Sequence, residues 1–175
     1  MSGIKTKQLA IDAMLAAMCA VLGYLAIDVI RLKITFESVP VLIGALLFGP
    51  VDGAMIGLIG TLIYQLLRYG VSATTALWIA PYVLCGLVVG AYARFRRFTL
   101  SRPQTLMIVV LAELMVTALN TGVIYVDSRI YGYYHPALIT GSLALRLAIC
   151  VGKAVAYALA LPPLLNAARN RSVMS

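Results

Sequence analysis

The sequence is poor in charge, above all in acid. Its 175 residues include six Asp and Glu and a single histidine. One histidine excludes a His-based metal site. No Ser-His-Asp set lies at a common depth, no glycine-rich phosphate loop precedes a lysine, and no two carboxylates stand close in sequence, so the chain is not expected to be an enzyme or to hydrolyse ATP. The three cysteines, Cys19, Cys85 and Cys150, fall inside apolar segments without CxxC or CxxH spacing, which reads as three buried thiols. No cofactor is implied.

What fills the chain instead is apolar. Hydrophobic residues make up 62% and charged residues 11%, against roughly half and about a quarter in soluble domains. Mean hydropathy is +0.97. An 18.8 kDa chain of this composition cannot hide its apolar surface from water; it is expected to be an all-α integral membrane protein. At about 20 apolar residues per crossing, six transmembrane helices fit. They form one membrane domain over residues 1–175 and leave no room for a soluble one. Lys5 and Lys7 precede the first apolar run without a small-residue cleavage site, so that run is read as a retained helix.

The most informative stretch is 32–60, LKITFESVPVLIGALLFGPVDGAMIGLIG. Ile30, Leu32, Ile34 and Phe36 alternate with other residues, including Arg31, Lys33 and Glu37, which predicts an extended segment able to lie over a pocket. An apolar helix follows over 39–48 and stops at Gly49-Pro50, because proline lacks a donor and disfavours helix in the residue before it. A glycine-punctuated helix comes next, over 52–67. Both look short for a membrane. The other spans are expected at 8–27, 76–92, 104–125 and 137–166. A tyrosine-rich loop covers 127–135, and Pro162-Pro163 should distort the last turns of the final span.

The formal charge of +8 reflects topology rather than a nucleic-acid partner. With the N-terminus in the cytoplasm, the inside collects Lys5, Lys7, Arg94, Arg96, Arg97, Arg102, Arg169 and Arg171, and the outside Arg31, Lys33, Arg68 and Arg129. The basic bias therefore puts both termini in the cytoplasm.

Arg146 and Lys153 stand seven apart on the last span, about two turns, and share a face. A cation at membrane depth turns inward to an anion, a carbonyl or water. Glu113 is the natural partner for Lys153, which otherwise contacts a ligand; Arg146 is read as a ligand donor. Tyr64, Gln65, Trp78, Tyr82, Asn120 and Tyr125 lie at the outer ends of their spans. Singly the aromatics read as an interfacial belt; converging, they would suit a flat heterocycle. On the first span, Ala13 and Ala17 are four apart, as are Ala16 and Ala20, so another helix can approach closely, from this chain or from a separate subunit.

Residues 32–60, the six spans and the Ala13-x-x-x-Ala17 spacing resemble the substrate-binding S components of energy-coupling factor (ECF) transporters, which import vitamins. The resemblance implies a subunit of the cell membrane that captures a vitamin outside, under the loop between spans one and two. It implies docking on a transmembrane coupling subunit with two ATPase subunits, and reorientation in the lipid bilayer to release the cargo. Ala13, Ala16, Ala17 and Ala20 would then be the coupling face. Lys33, Phe36 and Glu37 would belong to the lid and binding region. Gln65, Arg68, Trp78, Asn120, Tyr125, Arg146 and Lys153 would complete the binding set. The cations favour a carboxylate-bearing vitamin, with folate first and pantothenate or another B vitamin next. The competing class is a self-sufficient ion-coupled transporter or channel, acting as an oligomer with Glu113 as its proton site.

Overall fold

The computed structural model of the chain describes residues 2–29 and 32–173. Arg31 lies outside them, and the side chains of Lys33 and Asp28 lie outside the described part. Six helices run in chain order, α1 Ser2–Tyr24, α2 Ser38–Phe48, α3 Pro50–Tyr69, α4 Thr75–Phe95, α5 Arg102–Ile130 and α6 Pro136–Val173. Between α1 and α2 a small antiparallel hairpin pairs β1, Ile27–Val29, with β2, Leu32–Ile34, in the register Asp28 opposite Lys33. The extended segment expected from its alternation is therefore half of a hairpin.

Five of the helices are long and apolar enough to cross a bilayer, and the protein is a multi-pass membrane protein. The exception is α2, whose 11 residues reach only about 16 Å, well short of a roughly 30 Å hydrocarbon layer. It can be short because protein surrounds it. Val41, Leu42, Ala45 and Leu46 are completely buried, and α2 packs on α1, α3, α4 and α6. The expectation of a second short span is corrected: α3 is 20 residues long, because Pro50 starts the helix two residues earlier than expected and no breaker stops it before Gly70.

The α2–α3 turn needs its glycine. Gly49 has φ 112°, a left-handed conformation unfavourable for other residues, and Pro50 sits in the first turn of α3. Beyond the turn, α3 touches α4 backbone to backbone. A Cβ on Gly86 would lie 2.3 Å from the carbonyl carbon of Gly53, so only hydrogen fits at the crossing. Small residues bring helices this close where lipid supplies no hydrophobic drive between them. Gly86→Val is therefore expected to cost more than the ~1–3 kcal/mol of ordinary overpacking. Purified protein should show this as aggregation on gel filtration or a sharply lowered thermal midpoint; an unchanged midpoint would contradict the crossing.

Other boundaries move as well: α1 is Ser2–Tyr24 rather than 8–27, because its expected last residue, Ile27, belongs to β1, and α4 ends at Phe95 rather than 92. α5 runs on to Ile130, five residues past its expected end, because the first effective stop is Gly132 with φ 75°. Asp127 and Arg129 thus sit on a helix, not in a loop. α6 continues through Pro162-Pro163 to Val173 instead of ending at 166.

Candidate functional site

A cavity of about 500 Å³ opens among the C-terminal half of α3, the start of α4, and the middle of α5 and α6. That volume falls in the range of small-molecule sites, roughly 300–1,000 Å³. Thr35 and Glu37, between the hairpin and α2, form one side. Helical spacing explains the α5 wall: Thr117, Asn120, Ile124 and Asp127 step by three and four residues and so share one face.

The floor is an ion pair. Lys153 Nζ lies 2.9 Å from Glu113 Oε2, and Glu113 is completely buried. The ammonium also lies 5.7 Å from the centre of the Tyr157 ring, whose hydroxyl is 3.2 Å from Ser38 Oγ. Lys153 lines the cavity all the same, so the two readings of this lysine are compatible: it meets Glu113 and borders the site. Two turns along α6, Arg146 lines the same wall. On α5, Asn120 Oδ1 is buried and accepts no hydrogen bond among the described residues, leaving an acceptor in the wall.

The aromatic supply converges. Tyr64, Tyr69, Trp78, Tyr82, Tyr131 and Tyr133 all border the cavity. Tyr64 and Tyr69 meet edge to face at 6.0 Å, and the Tyr82 hydroxyl lies 3.4 Å from Thr35 Oγ1. At the mouth, Asp127 Oδ1 accepts from Thr74 Oγ1 at 2.5 Å and Trp78 Nε1 at 3.3 Å, and Oδ2 accepts from the Tyr133 hydroxyl. Burial first, then the bond to Asp127, pushes the Tyr133 phenol up to about 12, so it stays a protonated donor at any physiological pH.

Of the expected binding residues, the structure brings Glu37, Gln65, Trp78, Asn120, Arg146 and Lys153 to the cavity wall. Three others are not in that wall. Phe36 packs edge to face on Tyr157 at 6.3 Å, behind the floor. Arg68 is exposed and donates from Nη1 to the Tyr24 carbonyl at 3.2 Å, which ties the end of α3 to the end of α1. Tyr125 is turned about 100° from Ile124; it packs outside the cavity, edge to face with Tyr134 at 5.4 Å and beneath the Arg129 guanidinium. The side chain of Lys33 lies outside the described part.

The four alanines of the expected coupling face divide into two pairs. Ala16 and Ala20 are buried, while Ala13 and Ala17 are exposed. The reason is α3, which covers that flank of α1: a Cβ on Gly60 would meet Cys19 at 2.5 Å and the Ala16 carbonyl at 2.9 Å. Only Ala13 and Ala17 remain for an outside partner.

Asp127, Thr74 and Tyr133 were not expected at the site. For Asp127 the 117–120–124–127 spacing carries the signal, which a loop beginning at 127 conceals. Among the described residues no group of three His, Cys, Asp or Glu side chains is arranged to hold a metal ion.

Comparison with known proteins agrees with this geometry. The family "ECF transporter, substrate-specific component" matches residues 7–168. A search of curated proteins finds no match by sequence. Two solved structures share the fold. A crystal structure of FolT bound with folic acid is 21% identical, with TM-score 0.67 over 87% of this chain and 90% of that one. The S component for biotin from an ECF-type ABC transporter is 16% identical, with TM-score 0.69 over 94% and 93%. At these identities the likeness is one of fold. With the family spanning almost the whole length, a short central helix clad in protein and a lined cavity beside it, this chain belongs to the substrate-specific components of ECF transporters, a transport subunit rather than an enzyme.

Proposed function

We propose that the protein is the vitamin-binding subunit of an ECF-type importer in the cell membrane, with folate as its leading substrate and pantothenate or another B vitamin next. The observation that carries this reading is the cavity wall, where Arg146 and the buried Asn120 acceptor face a ring of tyrosines and one tryptophan. Aromatic faces suit a flat heterocycle, an amide fixes its edge, and an arginine suits a carboxylate. Folate carries all three counterparts. The fold shared with a FolT structure bound to folic acid supports the choice.

In this reading the chain is one membrane body with both termini in the cytoplasm and the hairpin on the outside. It delivers its cargo by docking on a transmembrane coupling subunit that works with two ATPase subunits. Ala13 and Ala17, exposed on α1 beside Met14 and Met18, are the contact for that subunit. Ala13→Trp and Ala17→Trp should leave vitamin binding unchanged and abolish uptake by the assembled transporter. Loss of binding in these variants would place the alanines inside the chain's own packing.

Native mass spectrometry of protein purified from cells tests the reading. A folate-sized molecule should be bound to the chain and displaced by added folate. Protein that carries nothing and takes up none of a panel of B vitamins would contradict it.

A further inference from the structure

The end of the bundle away from the cavity carries four arginines with no acid beside them. Arg94 lies at the end of α4, Arg96 and Arg97 follow it, and Arg102 opens α5; all four are exposed. The chain has no Asp or Glu from 53 to 112. Among the described residues none of the four guanidinium groups has a hydrogen-bond or ion-pair partner. Phe95 stands among them and is 82% exposed. Along α4, Trp78 at the cavity and Arg94 are about 24 Å apart, so the patch meets the opposite membrane surface.

Local stability accounts for only two of these cations. Arg94 lies in the last turn of α4, where a cation complements the helix dipole. The Arg96 guanidinium lies 5.9 Å from the centre of the Tyr92 ring. Arg97 has φ 51° and Phe98 φ 59°, a left-handed conformation that disfavours any side chain. For Phe98 packing offsets this: its ring lies against the core and reaches the α2–α3 turn, where a Cβ on Gly49 would be 3.6 Å from Cζ. Arg97 is exposed, and glycine would suit its backbone better. Arg102 is the first residue of α5, where a cation opposes the dipole, and no acid stands in that first turn. Both arginines work against their own backbone, so their charge serves something outside the chain.

We propose that this patch binds the phosphate of an anionic phospholipid, in the leaflet at the end of the bundle away from the cavity. In the topology that the basic bias gives, that is the cytoplasmic leaflet. The guanidinium forks of Arg97 and Arg102 take the phosphate oxygens, and Arg94 and Arg96 add to the field around them. Phe95 lies at headgroup level, where aromatic rings are favoured. A soluble anion offers that exposed ring nothing; a lipid offers it the tops of the acyl chains. The lipid holds this end of the body at the membrane surface. The proposal rests on the membrane placement of the chain and not on the choice of vitamin.

Native mass spectrometry of the purified full chain in a neutral detergent tests this. The chain is titrated with phosphatidylglycerol, with phosphatidylcholine of the same acyl chains, and with inorganic phosphate. The parent should prefer phosphatidylglycerol and show no phosphate adduct where that lipid saturates. Each arginine near an anionic surface contributes about fivefold in affinity, so Arg97→Gly/Arg102→Gln should lose about tenfold or more of the preference. Its thermal midpoint without lipid should not fall. Arg129→Gln, at the other end of the bundle, should keep the preference. A smaller loss in the double variant overturns the site, as does an equal loss in Arg129→Gln, the mark of a net-charge effect. Phosphate bound as tightly as the lipid replaces it with a soluble anion. Lipid preference kept while uptake by the assembled transporter falls makes the patch a contact for a partner subunit, and this too overturns the proposal. A lowered midpoint contradicts the argument that these two arginines do not serve folding. If the double variant does not fold, Arg102→Gln alone decides, with about a fivefold loss expected.

Discussion

Glu113→Leu is expected to destabilise the protein by about 3–5 kcal/mol, because it leaves the Lys153 ammonium without its partner beneath the cavity. Glu113 is completely buried and the Lys153 side chain is only 13% exposed, so little water can take over. A buried pair is not in itself a large source of stability; the cost lies in breaking it from one side. The double variant Glu113→Leu/Lys153→Met removes both charges and should recover most of the loss in thermal midpoint. It should not recover vitamin binding, which is expected to stay about tenfold weaker because Lys153 also borders the cavity. Thermal unfolding of the two variants beside a binding isotherm separates the structural part of Lys153 from its part in the site. If both variants were equally unstable, the ion pair would not be what Lys153 needs.

The second large effect is on affinity. Arg146→Ala should weaken folate binding by about 10- to 150-fold, the range for losing a hydrogen bond to a charged group, about 1.5–3 kcal/mol. Arg146→Lys should keep part of the affinity, since the charge survives and the planar fork does not. The thermal midpoint of the unliganded protein should change little in either variant. Calorimetric titration checks the first statement and unfolding without ligand the second. Equal affinity in Arg146→Ala and the parent would remove the arginine from the site.

The membrane character, the helix count and the Gly49-Pro50 break were legible because composition and helix breakers act locally. So was the Lys153–Glu113 pair, since a cation in an apolar span has few places to go. Residues of one span could be phased against each other but not against other spans. Ala13, Ala16, Ala17 and Ala20 look alike in the chain, and only the covering by α3 at Gly60 separates buried from exposed. Tyr125 and Ile124 are chain neighbours, yet one packs edge to face with Tyr134 outside and the other faces the cavity. Arg68 had the charge and position of a ligand donor and instead meets a backbone carbonyl of α1. A tyrosine-rich loop reads as starting at its first polar residue, Asp127, while the helix runs on towards the glycine that stops it.

Under the proposed function, the cavity beside the start of α2 takes a vitamin with no other subunit present. Isothermal titration of the purified chain with folate tests this most directly. One saturable site per chain is expected, tight in the parent protein and weakened by at least tenfold in Arg146→Ala. No heat with folate, pantothenate or any other B vitamin, from protein that elutes as a single folded species, would contradict it.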